Sequence, residues 1–558
     1  MTVLIPKKWH ILLLIGSCIA ASGMVLLLNY VLAGPRLGAV YDILLGFRPS
    51  PPISREIVLI ETDEVVEPGD LFSVLMTLNE MGASNLLVEV PVLGGGSGMG
   101  ESGEEFSYRI NDEFKLLTRN IQNLFEGIRL GLVSPIDSPI YVEHLVELAE
   151  RGRDRLNAAI IRQDEEASQR VTQAEAAFGR TTSALDLRAP PSKDAYGKIP
   201  WYSRPMPDPD KILRRIAPVY GTPNAAAGSN GTEHIAYHAL KPRWAESSVE
   251  FTGKGAFLVN RTEQDGAKTE RRFPLDREGN ILIEKINAEK FNIVTLGHFR
   301  DYDDAGKTLG RLLKEAESLG AYSETMPERI PLILFDFAEI LRENLLREPN
   351  AENHAAWISA REDYIASLDE FLYGPAEMLL VNGYEVLIAD DGIGEEGAAK
   401  LQVLRDALIR AFVTMREQHR RLIDLRNFLA GELYSAFCIM GAASFAAGAD
   451  IPESSAQLAN TLLTGRCITP GHSRYILSLS LIASFIVLFC IYRLKPMALL
   501  LIGISASLIC GAGFGIGFIV SAYWIDPFIP TAACLTGTLC MTISKFAFSY
   551  NTLLRQYQ

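Results

Sequence analysis

The chain has 558 residues, more than one hydrophobic core usually organises, so more than one structural unit is expected. Its 53 Lys and Arg against 67 Asp and Glu give a net charge of −14, which disfavours a nucleic-acid binder, and 48% hydrophobic residues exclude a wholly disordered chain. The averages conceal a division: apolar residues concentrate in four stretches, one near the start and three near the end, with most charges between residues 34 and 474. This pattern predicts an integral membrane protein with a large soluble insert.

The first apolar stretch runs from Ile11 to Leu28 without a charge and continues to Ala33, preceded by Lys7 and Lys8. About 20 such residues cross the hydrocarbon core. A removable signal with Val31 and Ala33 before its cleavage site is one rival, and a lipobox at Ile15-Gly16-Ser17-Cys18 is another. The length of the run favours a retained anchor over residues 10–33, after a cytoplasmic N-terminus at 1–9.

After the Pro-rich turn Arg48-Pro49-Ser50-Pro51-Pro52, Glu56–Thr62 reads as a strand. Leu71, Leu75, Leu78 and Met81 mark a helix ending at Gly82, and Asn85–Val92 reads as a second strand. This alternation predicts a parallel βαβ unit. Residues 111–127 read as helix and 128–134 as strand. Ligands of such sheets gather at the carboxyl ends of the strands, so Glu61, Asp63 and Glu64 mark a candidate pocket, with Glu61 and Asp63 as the ligand-binding candidates. The run Gly94-Gly95-Gly96-Ser97-Gly98-Met99-Gly100 lacks dinucleotide-loop spacing and reads as a linker.

Helical insertions are expected over about 101–200 and 303–430. Residues 143–178 carry only a partial apolar stripe. Leu401, Leu404, Leu408, Ala411, Met415, Gln418, Leu422, Leu425 and Leu429 follow an unbroken 4/3 spacing, a coiled-coil seam with one polar position. An ordinary helix packed on the α/β core is the alternative. The preferred reading is an arm whose partners are helices of the same or a second chain, making a homo-oligomer or a partner membrane protein expected. Residues 337–346 add a shorter amphipathic helix.

Ala305-Gly306-Lys307-Thr308 fails the phosphate-loop spacing, because Asp301 stands where Gly is required. His234 and His238 are four apart, as on one helical face, but no third ligand lies near in sequence, so no metal is expected. No cofactor is expected either. Cys438 and Cys467 belong to the insert, where a disulfide persists if the side chains meet. Ala436–Gly441 reads as a strand and Ser454–Leu463 as a short helix.

Three further apolar stretches, over 474–492, 497–520 and 527–545, complete four expected transmembrane helices. Lys7 and Lys8, Arg493 and Lys495, and Lys545 and Arg555 then fall on one side, whereas the loop Ser521–Asp526 has no Lys or Arg. Both termini are thus expected to be cytoplasmic, including a tail at 546–558, with residues 34–473 extracytoplasmic and the chain multi-pass in the inner membrane. Ser507, Gly511 and Gly515, at four-residue spacing, are the small residues expected to let the third span pack closely on the second or fourth.

The pieces resemble the CHASE type 2 family, extracytoplasmic sensory domains with one span before and three after. Asp42–Arg48 (DILLGFR) resembles its juxtamembrane segment, and Ile57–Glu64 its first strand. Leu78–Val90 is similar to the following helix and strand. Phe273-Pro274-Leu275-Asp276 with Gly279-Asn280-Ile281-Leu282-Ile283 is similar to a later strand pair, and Phe437–Gly441 with Ala456–Gly465 to the last strand and helix. The Trp-Pro-x-x-Arg segment expected after Glu64 is missing. The resemblance implies an α/β extracytoplasmic sensor that passes a stimulus to a cytoplasmic output such as a nucleotide cyclase or histidine kinase. Only 13 residues follow the last span, Phe546–Gln558, so no catalytic domain is expected within the chain and the output is expected in a partner or a longer form. A structural envelope scaffold, assembled through the helical arm, is the alternative.

Overall fold

The computed structural model describes residues 7–31, 39–62, 65–90, 115, 118–123, 125–130, 132, 143, 146–147, 149–151, 165–183, 201–202, 214–220, 232–241, 249–252, 256–262, 268–276, 279–284, 286, 290–318, 330–390, 393–471 except 443–450, and 473–557. In chain order, helices α1 (Lys7–Val31) and α2 (Ala39–Gly46) precede strand β1 (Ile57–Thr62), helix α3 (Pro68–Met81), β2 (Asn85–Val88) and β3 (Thr181–Ser183). Short strands follow: β4 (Trp201–Tyr202), β5 (Arg215–Ile216), β6 (Val219–Tyr220) and β7 (Thr232–His234), then helix α4 (Ile235–Leu240). The meander β8 (Val249–Thr252), β9 (Ala256–Thr262) and β10 (Lys268–Pro274) leads to β11 (Ile281–Leu282) and β12 (Asn292–Thr295). Five helices come next: α5 (Leu296–Ser318), α6 (Ile330–Arg347), α7 (Ala351–Tyr373), α8 (Ala376–Ile388) and α9 (Glu395–Leu433). The chain continues with β13 (Phe437–Ala442), α10 (Ile451–Thr464), β14 (Thr469–Pro470), α11 (Ser473–Ile491), α12 (Pro496–Ser521), β15 (Tyr523–Trp524) and α13 (Phe528–Tyr557).

These elements group into two compact units, residues 55–186 with 291–452, and residues 1–54 with 187–290 and 453–558. The expected outer domain at 34–473 therefore contributes to both.

The first unit is built on a five-stranded sheet, ordered β12-β1-β13-β2-β3, in which every pair is parallel. Strands buried on both faces need continuous apolar runs, and β1 and β2 supply them. Pro68 at the first turn opens α3, and Gly82, at φ 73°, ends it in the left-handed conformation that glycine adopts without a Cβ clash. Helix α5 starts directly after β12, where Thr295 and His298 bond to each other at 2.8 Å in a capping arrangement.

One hydrophobic core runs from Val58, Ile60, Leu86 and Met440 of the sheet through Leu75 of α3 and Phe299 of α5 to Leu408, Phe412, Met415, Leu422 and Leu429 of α9. This corrects the expectation of a separate arm. Helix α9, 39 residues long, packs on α5, α8, α3 and α7 of its own chain, so its apolar face is already covered. Its buried stripe includes Phe412 and His419, whereas Ala411 and Gln418 of the expected seam are half-buried. The seven-residue row Leu408, Met415, Leu422 and Leu429 is kept, and the second row lies one residue later than expected, at Phe412, His419 and Leu433.

The second unit contains the apolar helices. Helices α12 and α13 hold stretches long and apolar enough to cross a membrane, Pro496–Ser521 and Phe528–Asn551. Shorter apolar stretches, Ile11–Leu27 and Ser478–Ile491, lie in α1 and α11. Helix α13 packs on α1, α11 and α12, and α11 also packs on α1 and α12. Helix α13 continues through residues 546–557, so the expected tail prolongs the last helix. Lys545, buried on α13, donates to Tyr492 O and, at 2.8 Å, to Leu494 O in the α11–α12 turn, which brings three of the basic positions to one end of the bundle.

Candidate functional site

At the opposite end, α2, the segment before α11, the end of α12 and the start of α13 meet in a buried polar junction. Strand β5 pairs antiparallel with β11, Ile216 opposite Ile281. The tight turn before β11 is held by Asp276, which accepts from Asn280 N at 2.9 Å, with Gly279 at φ 86°. Arg215 adds an ion pair to Asp276 at 3.4 Å. The strand pair thereby presents two charged side chains from its ends, Arg214 and Glu284.

Each charge finds its partner on the segment that follows α1. Arg214 binds Asp42 of α2 through both ends of its guanidinium, Nε to Oδ1 at 2.8 Å and Nη2 to Oδ2 at 2.6 Å. Such bidentate pairs fix direction as well as distance. Glu284 accepts from Arg48 Nη2 at 2.8 Å, and both side chains are nearly buried. Arg48 Nη1 donates to Phe518 O at 2.6 Å and Ile519 O at 3.1 Å, the last turn of α12. A cation there satisfies orphan carbonyls and opposes the negative end of the helix dipole. One guanidinium therefore ties β11 to the end of α12.

The remaining helices enter through backbone. Ile468 N donates to Leu282 O at 3.2 Å, extending the β11 edge to the segment before α11. Strand β14 runs parallel to β15, with Thr469 N on Ala522 O and Gly471 N on Trp524 O, each at 2.9 Å. Ala522 is left-handed at φ 58°, a conformation that disfavours a Cβ, and its amide caps α12 on Phe518 O. Asp526 caps the start of α13 by accepting from Phe528 N at 2.9 Å. An aromatic plug seals the joint: Tyr41 meets Trp524 edge-on at 4.8 Å, and Phe518 meets Trp524 at 4.9 Å.

The surroundings are dry. Burial, reinforced by Glu284 and Asp42, holds the Tyr41 hydroxyl far above the usual phenol range. Burial also pushes the Cys467 thiol up to about 12, with Glu284 adding to it. The junction holds charges in matched pairs and links strands to helix ends. Glu284 and Arg48 thereby join the segment after β11 to the end of α12.

The residues named from sequence lie elsewhere. Glu61 sits half-buried in β1 between Thr295 and Gly441 on the neighbouring strands, whereas Asp63 and Glu64 fall outside the described residues. Gly503, Ser507, Gly511 and Gly515 line the buried face of α12. A Cβ on Gly503 would strike Thr538 of α13, one on Gly511 would strike Thr531, and one on Gly515 would lie 3.2 Å from Leu44 of α2. The close approach is thus to the last apolar helix and, at its upper end, to the junction.

Other motifs resolve plainly. Ala305–Thr308 lies inside continuous α5, so no phosphate loop forms. His234 ends β7, wholly buried, and accepts from Ala236 N, whereas His238 faces Glu233 at 2.9 Å; the two imidazoles do not share a helical face. Among the described residues no group of three or more His, Cys, Asp or Glu is arranged to hold a metal. Cys438 and Cys467 are both free thiols. Gly94–Gly100 lies outside the described residues.

Sequence reading missed the junction, although Asp42, Arg48 and Asp276 stand in the segments quoted for the family resemblance. The available signal was an Asp and an Arg flanking a short apolar helix beside a span, where unpaired charge is unfavourable. No protein-family model, curated protein or solved structure matches the chain.

Proposed function

We propose that the protein is a membrane-anchored receptor of the CHASE type 2 kind, in which an α/β sensory part outside the inner membrane passes a stimulus through four spans to a cytoplasmic output such as a cyclase or kinase. The observation that carries this reading is the Arg48 bridge, where one buried guanidinium joins Glu284 beyond β11 to the last turn of α12. A passive anchor needs no such tie, since a single apolar helix holds a domain at the surface. The four apolar helices, packed as one bundle with Lys545 at the end opposite the junction, support both termini being cytoplasmic. Orientation is tested by periplasm-active and cytoplasm-active reporters at Gly231 and after Gln558.

A thermal-shift screen of the full chain in lipid nanodiscs, paired with alkylation of Cys467 at the junction, tests the sensing role. A compound that binds raises the melting temperature by mass action. A receptor whose signal passes the junction then also changes the Cys467 alkylation rate. Binders that leave that rate untouched contradict the reading.

Assembly as an envelope scaffold is the second reading. It is favoured by Ile330, Ile333, Phe337 and Ile340, which repeat at three- and four-residue spacing on the exposed face of α6. Concentration-dependent mass of the full chain, abolished by Ile333→Glu with Phe337→Glu, is its expected signature.

A further inference from the structure

The sheet-bearing unit contains a cleft of about 450 Å³ between α3, α5, α6 and α7. Its size is in the range of small-molecule sites. Phe72, Met76, Phe335 and Trp357 supply apolar surface. Glu80, nearly buried, forms the polar floor: it accepts from Tyr302 Oη at 2.6 Å and faces Arg361 at 3.6 Å and Arg426 at 3.7 Å. Burial, and then the bond to Glu80, lift the Tyr302 hydroxyl above the usual range, as expected of a dry floor.

The charges lining the cleft do not balance. Lys307, Arg311, Lys314, Arg342 and Arg361 face Glu80, Asp303, Asp336 and Glu339, a surplus of one positive charge in a chain of net charge −14. Each carboxylate has a cation within the cleft: Asp303 with Lys307 at 3.1 Å, Asp336 with Lys314 at 3.3 Å, Glu339 with Arg342 at 2.6 Å, and Glu80 with Arg361. Arg311 is left over; its ion pair is with Glu315 at 3.9 Å, a turn further on, where both side chains are mostly exposed. Arg342 adds a second unmet need, because its Nε is buried without an acceptor among the described residues.

We propose that this cleft binds a small organic carboxylate with an apolar body, its charge taken by Arg311 and Arg342 and its body laid against Phe72 and Phe335. The carboxylate supplies the missing negative charge beside the guanidinium groups, and the apolar end covers the half-buried rings of Phe72 and Phe335. The proposal rests on the receptor reading and names the class of stimulus for it.

Isothermal titration of the full chain in nanodiscs with phenylacetate, hydrocinnamate and octanoate, each beside its uncharged amide, tests it. At least one carboxylate is expected to bind saturably and its amide about tenfold more weakly, the loss of one charged hydrogen bond. Arg311→Gln, at an exposed position that leaves the fold alone, and Arg342→Gln should each weaken the carboxylate by about the same factor, whereas Lys400→Gln on the exposed face of α9 should not. No binding by any of the three at millimolar concentration, equal binding of acid and amide, or unchanged affinity in both arginine variants overturns the proposal. Binding without any change in Cys467 alkylation keeps the cleft and removes the receptor reading.

Discussion

The two units hold themselves together by different means. The sheet-bearing unit relies on one apolar core that reaches from Val58 in β1 to Leu429 in α9. The junction concentrates charge where the other is apolar: Arg214, Arg48 and Glu284 are nearly buried, and each meets an opposite charge or a helix-end carbonyl. Apolar burial is non-directional and tolerates small shifts. Buried ion pairs add little net stability over an apolar replacement but punish misalignment heavily. The first arrangement suits a body that stays folded, the second a joint that must keep one geometry or change as a whole.

The sharpest way to break the comparison is to place charge in the apolar core. Leu408 and Leu422 are both fully buried in α9, and replacing both by Glu should unfold the sheet along with the helices, since the core is shared. Circular dichroism and limited proteolysis that found the strands intact while α9 loosened would restore a separate arm. Next in size, Glu284→Ala leaves Arg48 buried without its carboxylate and should cost about 3–5 kcal/mol in unfolding of the full chain. The double variant Arg48→Met with Glu284→Leu should recover most of that loss, which distinguishes pairing from volume.

Gly511→Leu should cost about 1–3 kcal/mol, because its side chain meets Thr531 on α13. Gly513→Leu should have little effect, as none of the described residues stands within 4 Å of a Cβ there. Acid sensitivity is absent near neutral pH and grows only as the solution is made acid. Burial lowers His234 from 6.5 to about 3, so the unfolded chain takes up a proton that the folded chain refuses. The stabilisation is therefore complete above pH 6.5 and falls by about 1.4 kcal/mol per unit as pH drops towards 3. His234→Asn, which keeps an acceptor for Ala236 N, should flatten that part of the melting-temperature profile.

Much of the fold was legible because it is written in local periodicity. The runs at Ile57–Ile60 and Phe437–Met440 are β-branched or apolar throughout, and Gly82 marks the end of α3. The small-residue stripe from Gly503 to Gly515 was equally plain. The shared core was not, because Phe412 and Ala411 are adjacent and both fit an apolar stripe; only the helices packed around α9 decide which faces inward. The junction was hidden for a related reason. Arg48 meets Glu284 across 236 positions and Phe518 O across 470, and a bond to a backbone carbonyl leaves no trace in side-chain pattern. The pocket expected at Glu61 followed from a rule about strand ends. The cleft at Arg311 and Arg342 lies instead among helices, where four separate segments must come together before it exists.

The proposed coupling runs from β11 through the junction to the apolar helices. It is tested most directly by the distance between genetically encoded spin labels at Met497 and Tyr550, exposed positions on α12 and α13 far along the chain from Phe518 and Trp524. In nanodiscs, double electron–electron resonance on the otherwise unaltered chain should give one narrow distribution. Arg48→Ala should shift or broaden it, because the end of α12 loses its tie to β11, and Arg48→Lys should fall between the two. An identical distribution in all three, with the chain still folded, would contradict coupling through the junction.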